Sequence, residues 1–201
     1  MGCCPALVFA IIKAMDPWFP IETERLLLRE LREADEDDIH EYASDPEVVR
    51  LMIWGPNTRE ATHEFLDRAL QAQTQWPRAD VGLAIELKSE RRMIGSIGLR
   101  MKDGGNHTAD FGYVLNRKYW GHGYMTESAG AILNVAFNQL NLHRVWATCH
   151  AQNRASYRVM EKLGMRREAL FVKNAMEKGE WRDTYLYAIL AEEWRGGLKN
   201  R

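Results

Sequence analysis

A chain of 201 residues is long enough for one domain with a sizeable core. With 46% hydrophobic and 27% charged residues it is not a disordered chain, and a formal net charge of -1 excludes a general affinity for nucleic acid or an anionic membrane. The three cysteines, adjacent Cys3 and Cys4 and distant Cys149, form neither a disulfide framework nor a metal-finger spacing, which fits a reducing cytoplasm.

Residues 1–20 read as a loosely attached extension. Its apolar stretch from Ala6 to Ile12 is too short to span a bilayer. No basic residue precedes that stretch, as a secretory signal requires, and Ala6 stands where a myristoylation signal needs Ser or Thr. Met15 is a candidate natural start. One domain is expected over 21–195, with 196–201 as a tail.

Arg25 to Leu31 reads as the first strand. Asp35 to Ala43 follows as an acidic helix, stopped by the turn chemistry of Ser44-Asp45-Pro46. Thr58 is a candidate cap for a second helix with the apolar stripe Phe65, Leu66, Ala69 and Leu70. The period then changes to two: Val81 to Leu87, Ile94 to Leu99 and Ala109 to Leu115 predict an antiparallel meander, with Asp103-Gly104-Gly105-Asn106 as a hairpin turn. After Gly123 the period is helical, with Met125, Ala129, Ile132, Leu133, Ala136, Phe137 and Leu140 on one face. Arg144 to Cys149 reads as a strand and Ala155 to Leu163 as a helix capped by Gly164. Arg166 to Lys173 and Trp181 to Leu190 are the last strands, turning near Lys178-Gly179. The expected fold is α/β (mixed α+β): a mixed seven-stranded sheet with helices on both faces.

Chemistry concentrates in two segments. Asn116-Arg117-Lys118-Tyr119-Trp120-Gly121-His122-Gly123-Tyr124-Met125-Thr126-Glu127 joins a strand to an amphipathic helix. Two glycines allow a tight turn and close approach of a ligand, and the helix start offers unpaired N–H groups and positive dipole, a setting that favours phosphate. A nucleotide P-loop is absent. The third glycine of a dinucleotide fingerprint is replaced by Thr126. The second segment, Asn153-Arg154-Ala155-Ser156-Tyr157-Arg158-Val159-Met160-Glu161-Lys162-Leu163-Gly164-Met165, opens another helix, for which Asn153 is a plain cap.

In this order and at this separation, the two segments resemble the coenzyme A site of the Gcn5-related N-acetyltransferases. The resemblance runs from about Ile21 to Trp194. Glu22 to Arg29, Trp120 to Glu127 and Gly179 to Tyr187 are similar to the branch that holds the ribosomal-protein-alanine N-acetyltransferases. It implies the acyl-CoA N-acyltransferase fold, acetyl-CoA as acyl donor with no metal, and an amine acceptor; a homodimer is a family-based expectation. It also implies a site. Backbone of Val114 and Leu115 would pair with the pantetheine arm. Amides from Lys118 through Trp120, Gly121, His122 and Gly123 to Tyr124 would hold the pyrophosphate at the start of the helix that carries Met125. Thr126 would add a hydroxyl. Asn153 would bond the arm, Ser156 would lie near the thioester and Lys162 would reach the ribose phosphate. The strands before the two helices would splay to admit the cofactor. This chain departs from the family pattern in having Lys118 where Gln or Arg is preferred, and Met160 where many members place a tyrosine general acid. Ser156 or Tyr157 must then protonate the leaving thiolate.

An acceptor α-amine, with a pKa of about 7.7–8.0, is neutral to roughly a tenth at pH 7, whereas a lysine side chain is neutral in well under about one part in a thousand. A water relay through a nearby acid therefore suffices for an α-amine. Asp110 is the first candidate for that acid, ahead of Glu168 and Glu86. Trp54, in the loop before the second helix, is a candidate for the acceptor pocket. Trp18, Trp76, Trp146 and Trp181 read as core or interface residues. Cys149 shares a face with Val145 and Ala147 and reads as core. The leading acceptor is a protein N-terminal α-amine. Small amines, polyamines and aminoglycosides are rivals, the last kept open by the acids Glu33, Asp35, Glu36, Asp37 and Asp38. A non-catalytic acyl-CoA-binding module is the alternative of another class.

Overall fold

Alternating apolar residues become strands, and the 3.6-residue stripes become helices laid on them. The computed structural model describes residues 18–75, 78–102 and 107–195. The expectations for Met15, Cys3, Cys4, Trp76, the turn at 103–106 and the tail 196–201 lie outside the described residues. The strands are β1 (Ile21–Glu22), β2 (Leu26–Arg29), β3 (Asp80–Leu87), β4 (Arg92–Lys102), β5 (Thr108–Leu115), β6 (Arg144–His150), β7 (Arg166–Glu177) and β8 (Glu180–Leu190). They form one sheet in the order β1-β2-β3-β4-β5-β6-β8-β7. That is eight strands rather than the seven expected. The addition is β1, which at two residues is too short to leave a periodic signature.

The helices are α1 (Glu36–Ala43), α2 (Pro46–Val49), α3 (Arg59–Gln73), α4 (Tyr124–Asn138) and α5 (Arg154–Lys162). Asp45 accepts from Glu47 N at 2.9 Å, so the turn that ends α1 also caps α2, with Pro46 in its first turn. The Thr58 hydroxyl accepts from Ala61 N at 3.2 Å and starts α3. Helices α4 and α5 contribute Ile132, Leu133 and Met160 to the main core, where they meet Leu83, Ile97, Leu99 and Phe111 of the sheet. On the opposite face Ile39 and Tyr42 of α1 and Leu66 of α3 pack on Ala84 and Met93. Trp18 and Phe19 are buried in the main core, so the packed domain reaches back beyond residue 21.

Four acids of the run around α1 join that helix to its neighbours, while Glu33 stays exposed. Buried Asp35 takes both terminal nitrogens of Arg29 at 2.8 Å each. Asp38 accepts from Met93 N at 3.0 Å and pairs with Arg92. Glu36 meets His63 at 2.9 Å, and Asp37 pairs with Arg59.

One joint breaks the sheet's regularity. Every neighbouring pair is antiparallel except β5–β6, the two strands that flank the α4 crossover. These two pair only from Thr108↔Arg144 to Asp110↔Trp146. Beyond Asp110, β5 runs on to Leu115 and β6 to His150 without bonding each other, which opens a V-shaped notch.

Candidate active site

The segment that leaves the notch along β5 presents backbone because its side chains are engaged elsewhere. Asn116 accepts from Lys118 N at 3.0 Å and shapes a short turn over Arg117–Tyr119. Each side chain of that turn is tied to an acid on another element. Arg117 meets Asp45 at 3.0 Å, Lys118 pairs with Glu41, and the Tyr119 hydroxyl donates to Glu90 at 2.6 Å. The Lys118 charge expected beside the loop is thus spent on Glu41. The Lys118 ammonium, outweighing burial and assisted by Arg92, drives the Glu41 carboxyl from its usual 4.5 to about 2.

Gly121 and Gly123 follow at φ +81° and +83°, the left-handed region that disfavours side chains, and nothing lies within 4 Å of a Cβ on Gly121. Helix α4 then starts at Tyr124 with its first N–H groups unpaired. The loop is latched from behind. Arg25 donates to His122 O at 3.0 Å and to Glu127 at 2.7 Å, and its guanidinium lies 4.5 Å from the Tyr124 ring centroid. Burial favours the neutral form of Glu127, but the Thr23 hydroxyl and Arg25 outweigh it and hold the carboxyl below its usual range.

Notch and loop open into one cleft of about 980 Å³. The predicted Trp54, Asp110, Val114, Leu115 and Trp120 line it, as do Gly121 and Gly123 to Thr126, and Asn153, Ser156 and Lys162. Lys118, His122 and Tyr157 are not among its lining residues. His122 stacks on Tyr124 with ring centroids 5.7 Å apart. Tyr157 sits in an aromatic cluster, 5.9 Å from Tyr185 and 6.5 Å from Tyr187. Met160 is fully buried in the main core, so the position where many relatives carry a tyrosine does not face the cleft in this chain. Glu86 bonds Arg29 at 2.5 Å and Glu168 bonds Arg144 at 2.9 Å; neither lines the cleft.

Ser156 sits in the first turn of α5, and its N–H donates to Asn153 Oδ1 at 3.1 Å. Tyr113, which the sequence reading did not single out, reaches it from β5. The Tyr113 hydroxyl donates to Ser156 O at 2.9 Å and lies 3.1 Å from Ser156 Oγ. With its proton committed to the carbonyl, the phenol oxygen accepts from Ser156. Burial pushes the Tyr113 phenol up, so it stays protonated. Burial likewise raises the Cys149 thiol to about 11, which removes it as a nucleophile at neutral pH. Asp110 is nearly enclosed and faces Arg100 Nε at 2.8 Å and Lys102 Nζ at 2.5 Å.

His150 is a second residue that no local sequence pattern marks. It lines the cleft, and burial together with Arg182 lowers its pKa. Its Nδ1 accepts from Gln152 N at 3.0 Å, which places the proton of the neutral ring on Nε2. Among the described residues no group of three or more His, Cys, Asp and Glu could hold a metal ion, and no helix is long and apolar enough to cross a membrane.

A strand-splayed notch, a glycine turn at a helix start and a serine across the gap line one cleft, which an extended ligand with a phosphate end would fit. The acetyltransferase (GNAT) domain family matches residues 25–166. YnaD, an uncharacterized N-acetyltransferase of Bacillus subtilis (strain 168), is 40% identical over 174 residues, which span 87% of this chain and 98% of the relative. The crystal structure of a GNAT-family acetyltransferase from Bacillus anthracis matches with a TM-score of 0.76 at 40% identity, covering 86% of this chain and 99% of the other. The ribosomal protein uS5-alanine N-acetyltransferase of Escherichia coli (strain K12) is 28% identical over 94 residues, 47% of this chain and 48% of the relative. The chain belongs to the Gcn5-related N-acetyltransferase (GNAT) family and is an acetyl-CoA-dependent acyltransferase.

Proposed function

We propose that the enzyme acetylates a protein N-terminal α-amine by direct attack on acetyl-CoA, without a covalent enzyme intermediate. The observation that carries the acceptor choice is the charge balance of the cleft. Of the four acids that line the cleft among the described residues, Asp110 is paired with Arg100 and Lys102, Glu64 with Arg68 and Glu177 with Arg182, and only Asp80 lacks an ion pair. A polyamine or an aminoglycoside needs several free carboxylates, whereas one α-amine needs little more than a route for one proton. The relative that acts on the ribosomal protein uS5 alanine is in keeping with this choice.

In this reading the pantetheine arm pairs with the backbone of Val114 and Leu115, beyond the last β5–β6 pair, where Leu115 O already accepts from Trp120 Nε1 at 2.8 Å. Amides from Lys118 to Tyr124 take the pyrophosphate, Thr126 adds a hydroxyl and Lys162 reaches the ribose phosphate. The Asn153 side-chain NH₂ bonds the arm, since its oxygen already caps α5. The neutral amine nitrogen attacks the thioester carbonyl carbon and the C–S bond breaks; the Ser156 hydroxyl turns its proton from Tyr113 to the leaving thiolate and takes one back from water in the cleft, so no alkoxide is left. The proton lost by nitrogen leaves through a water held by Asp110. Positioning supplies most of the acceleration.

Isothermal titration with acetyl-CoA tests the cofactor half. Wild type binds, and Gly123→Trp, at a position of positive φ, loses binding; an unchanged melting temperature separates a blocked loop from lost fold. Thiol release with an N-terminal peptide, spermidine and an aminoglycoside as rival acceptors tests the other half. A clear preference for either polycation would overturn the α-amine reading.

A further inference from the structure

On the face of the sheet that bears Asp110, three glycines stand side by side on three adjacent strands. Gly82 of β3 is opposite Gly98 of β4, and Gly98 is opposite Gly112 of β5. A Cβ on Gly82 or Gly112 would have nothing within 4 Å, and one on Gly98 would meet only backbone, at 3.4 Å and beyond. None of the three has a positive φ, so the backbone does not require glycine. Glycine inside a strand weakens it, and three in register in the middle of a sheet leave a bare strip of peptide planes.

The strip has walls. Two residues along each strand on one side is the row Asp80↔Arg100↔Asp110, and on the other the row Ala84↔Ser96↔Val114. These rows are four residues apart, about 13 Å along the strands. Helices α1 and α3 cover the sheet at the Ala84 row, while Gly82 and Gly112 are exposed. Gly98 and Gly112 line the same cleft as Ser156 and Trp54. Gly112 lies two residues past the last β5–β6 pair, so the strip begins at the mouth of the notch.

We propose that Gly82, Gly98 and Gly112 form the floor of the acceptor site, over which the first residues of an extended polypeptide lie across β3–β5 with the α-amine at the Gly112 end. The inference rests on the N-terminal α-amine reading above and adds to it the path of the chain behind the amine. Gly98 and Gly112 spend their N–H and C=O groups on each other within the sheet, so that part of the floor offers flat contact; β2 ends at Arg29↔Ala84, short of Gly82, whose peptide groups remain for the bound chain. Planar peptide groups fit that surface, and branched side chains do not. Three strands at about 4.8 Å spacing span about 10 Å, the length of three extended residues. In the charged wall Asp110 is paired with Arg100 and Lys102, and Asp80 is the one acid there without an ion pair among the described residues, which suits one terminal ammonium and no further cations.

Gly98→Val and Gly82→Val test the floor away from the notch. Both are expected to keep or raise the melting temperature, because valine suits a strand, and to leave acetyl-CoA affinity unchanged. In the wild type kcat/KM rises from alaninamide to trialanine amide by about 10-fold or more, and in either variant that ratio falls toward one. A wild-type rate independent of peptide length would overturn the floor while leaving the α-amine reading in place. So would variants that keep the length dependence. A wild type that prefers spermidine or a flat aromatic amine would overturn both. Acetyl-CoA binding without turnover of any amine would remove the catalytic reading first and the floor with it.

Discussion

Ser156 and Asp110 differ in how far local sequence could take them. Ser156 stands in a recognisable segment, and the fold brings it to the wall of the notch opposite β5. Its partner Tyr113 is 43 residues away in sequence, and no local pattern links the two. Ser156→Ala is expected to lower kcat by about 100-fold, with little change in the KM for acetyl-CoA. Single-turnover assays would separate that loss from product release, and an unchanged kcat would remove Ser156 as the acid. Asp110 was legible as an acid in the strand before the glycine turn. Its enclosure by Arg100 and Lys102 was not, since both lie on the neighbouring strand and only register brings them across.

At the scale of elements, the turn before Gly121 is held in place because α1, α2 and the β3–β4 turn bind its side chains through Glu41, Asp45 and Glu90. Glu41 links this to pH. Its folded pKa is depressed, so its contribution to stability is complete above about 4.5 and is lost as pH falls toward about 2. Glu41→Gln should therefore lower the melting temperature at pH 7 and flatten its fall between those values. Thermal melts across that range check this, and an unchanged acid slope would show that Glu41 is not part of it. The strand-turn-helix around Gly123 was readable because two glycines at a change of period mark it. What pins its flanks was not readable, because each acid comes from a separate element.

The whole molecule is a single sheet with two unequal cores, and its edge carries an aromatic pair outside the expected domain. Trp18 and Phe19 pack edge to face at 5.3 Å and are buried against the main core, with the Arg78 guanidinium 5.1 Å from the Phe19 ring centroid. A chain beginning at Ile21 should be less stable than one beginning at Met15 by roughly 3–5 kcal/mol, the usual cost of losing a large buried aromatic. Denaturant titration of the two measures it, and equal midpoints would show that the pair is dispensable.

By itself the sequence determined the strands and helices of strong period, the glycine turn at the head of α4, the cap of α5 and, through resemblance, the family's chemistry. These features depend on neighbours a few residues apart. Only the tertiary structure decided where β5 and β6 part, that Met160 faces the core, that Asp35, Asp37 and Asp38 pair with arginines, and that Gly82, Gly98 and Gly112 line up. Each of those depends on strand register and on which faces meet. Register is a collective result of packing many residues far apart in the chain, so no local window contains it.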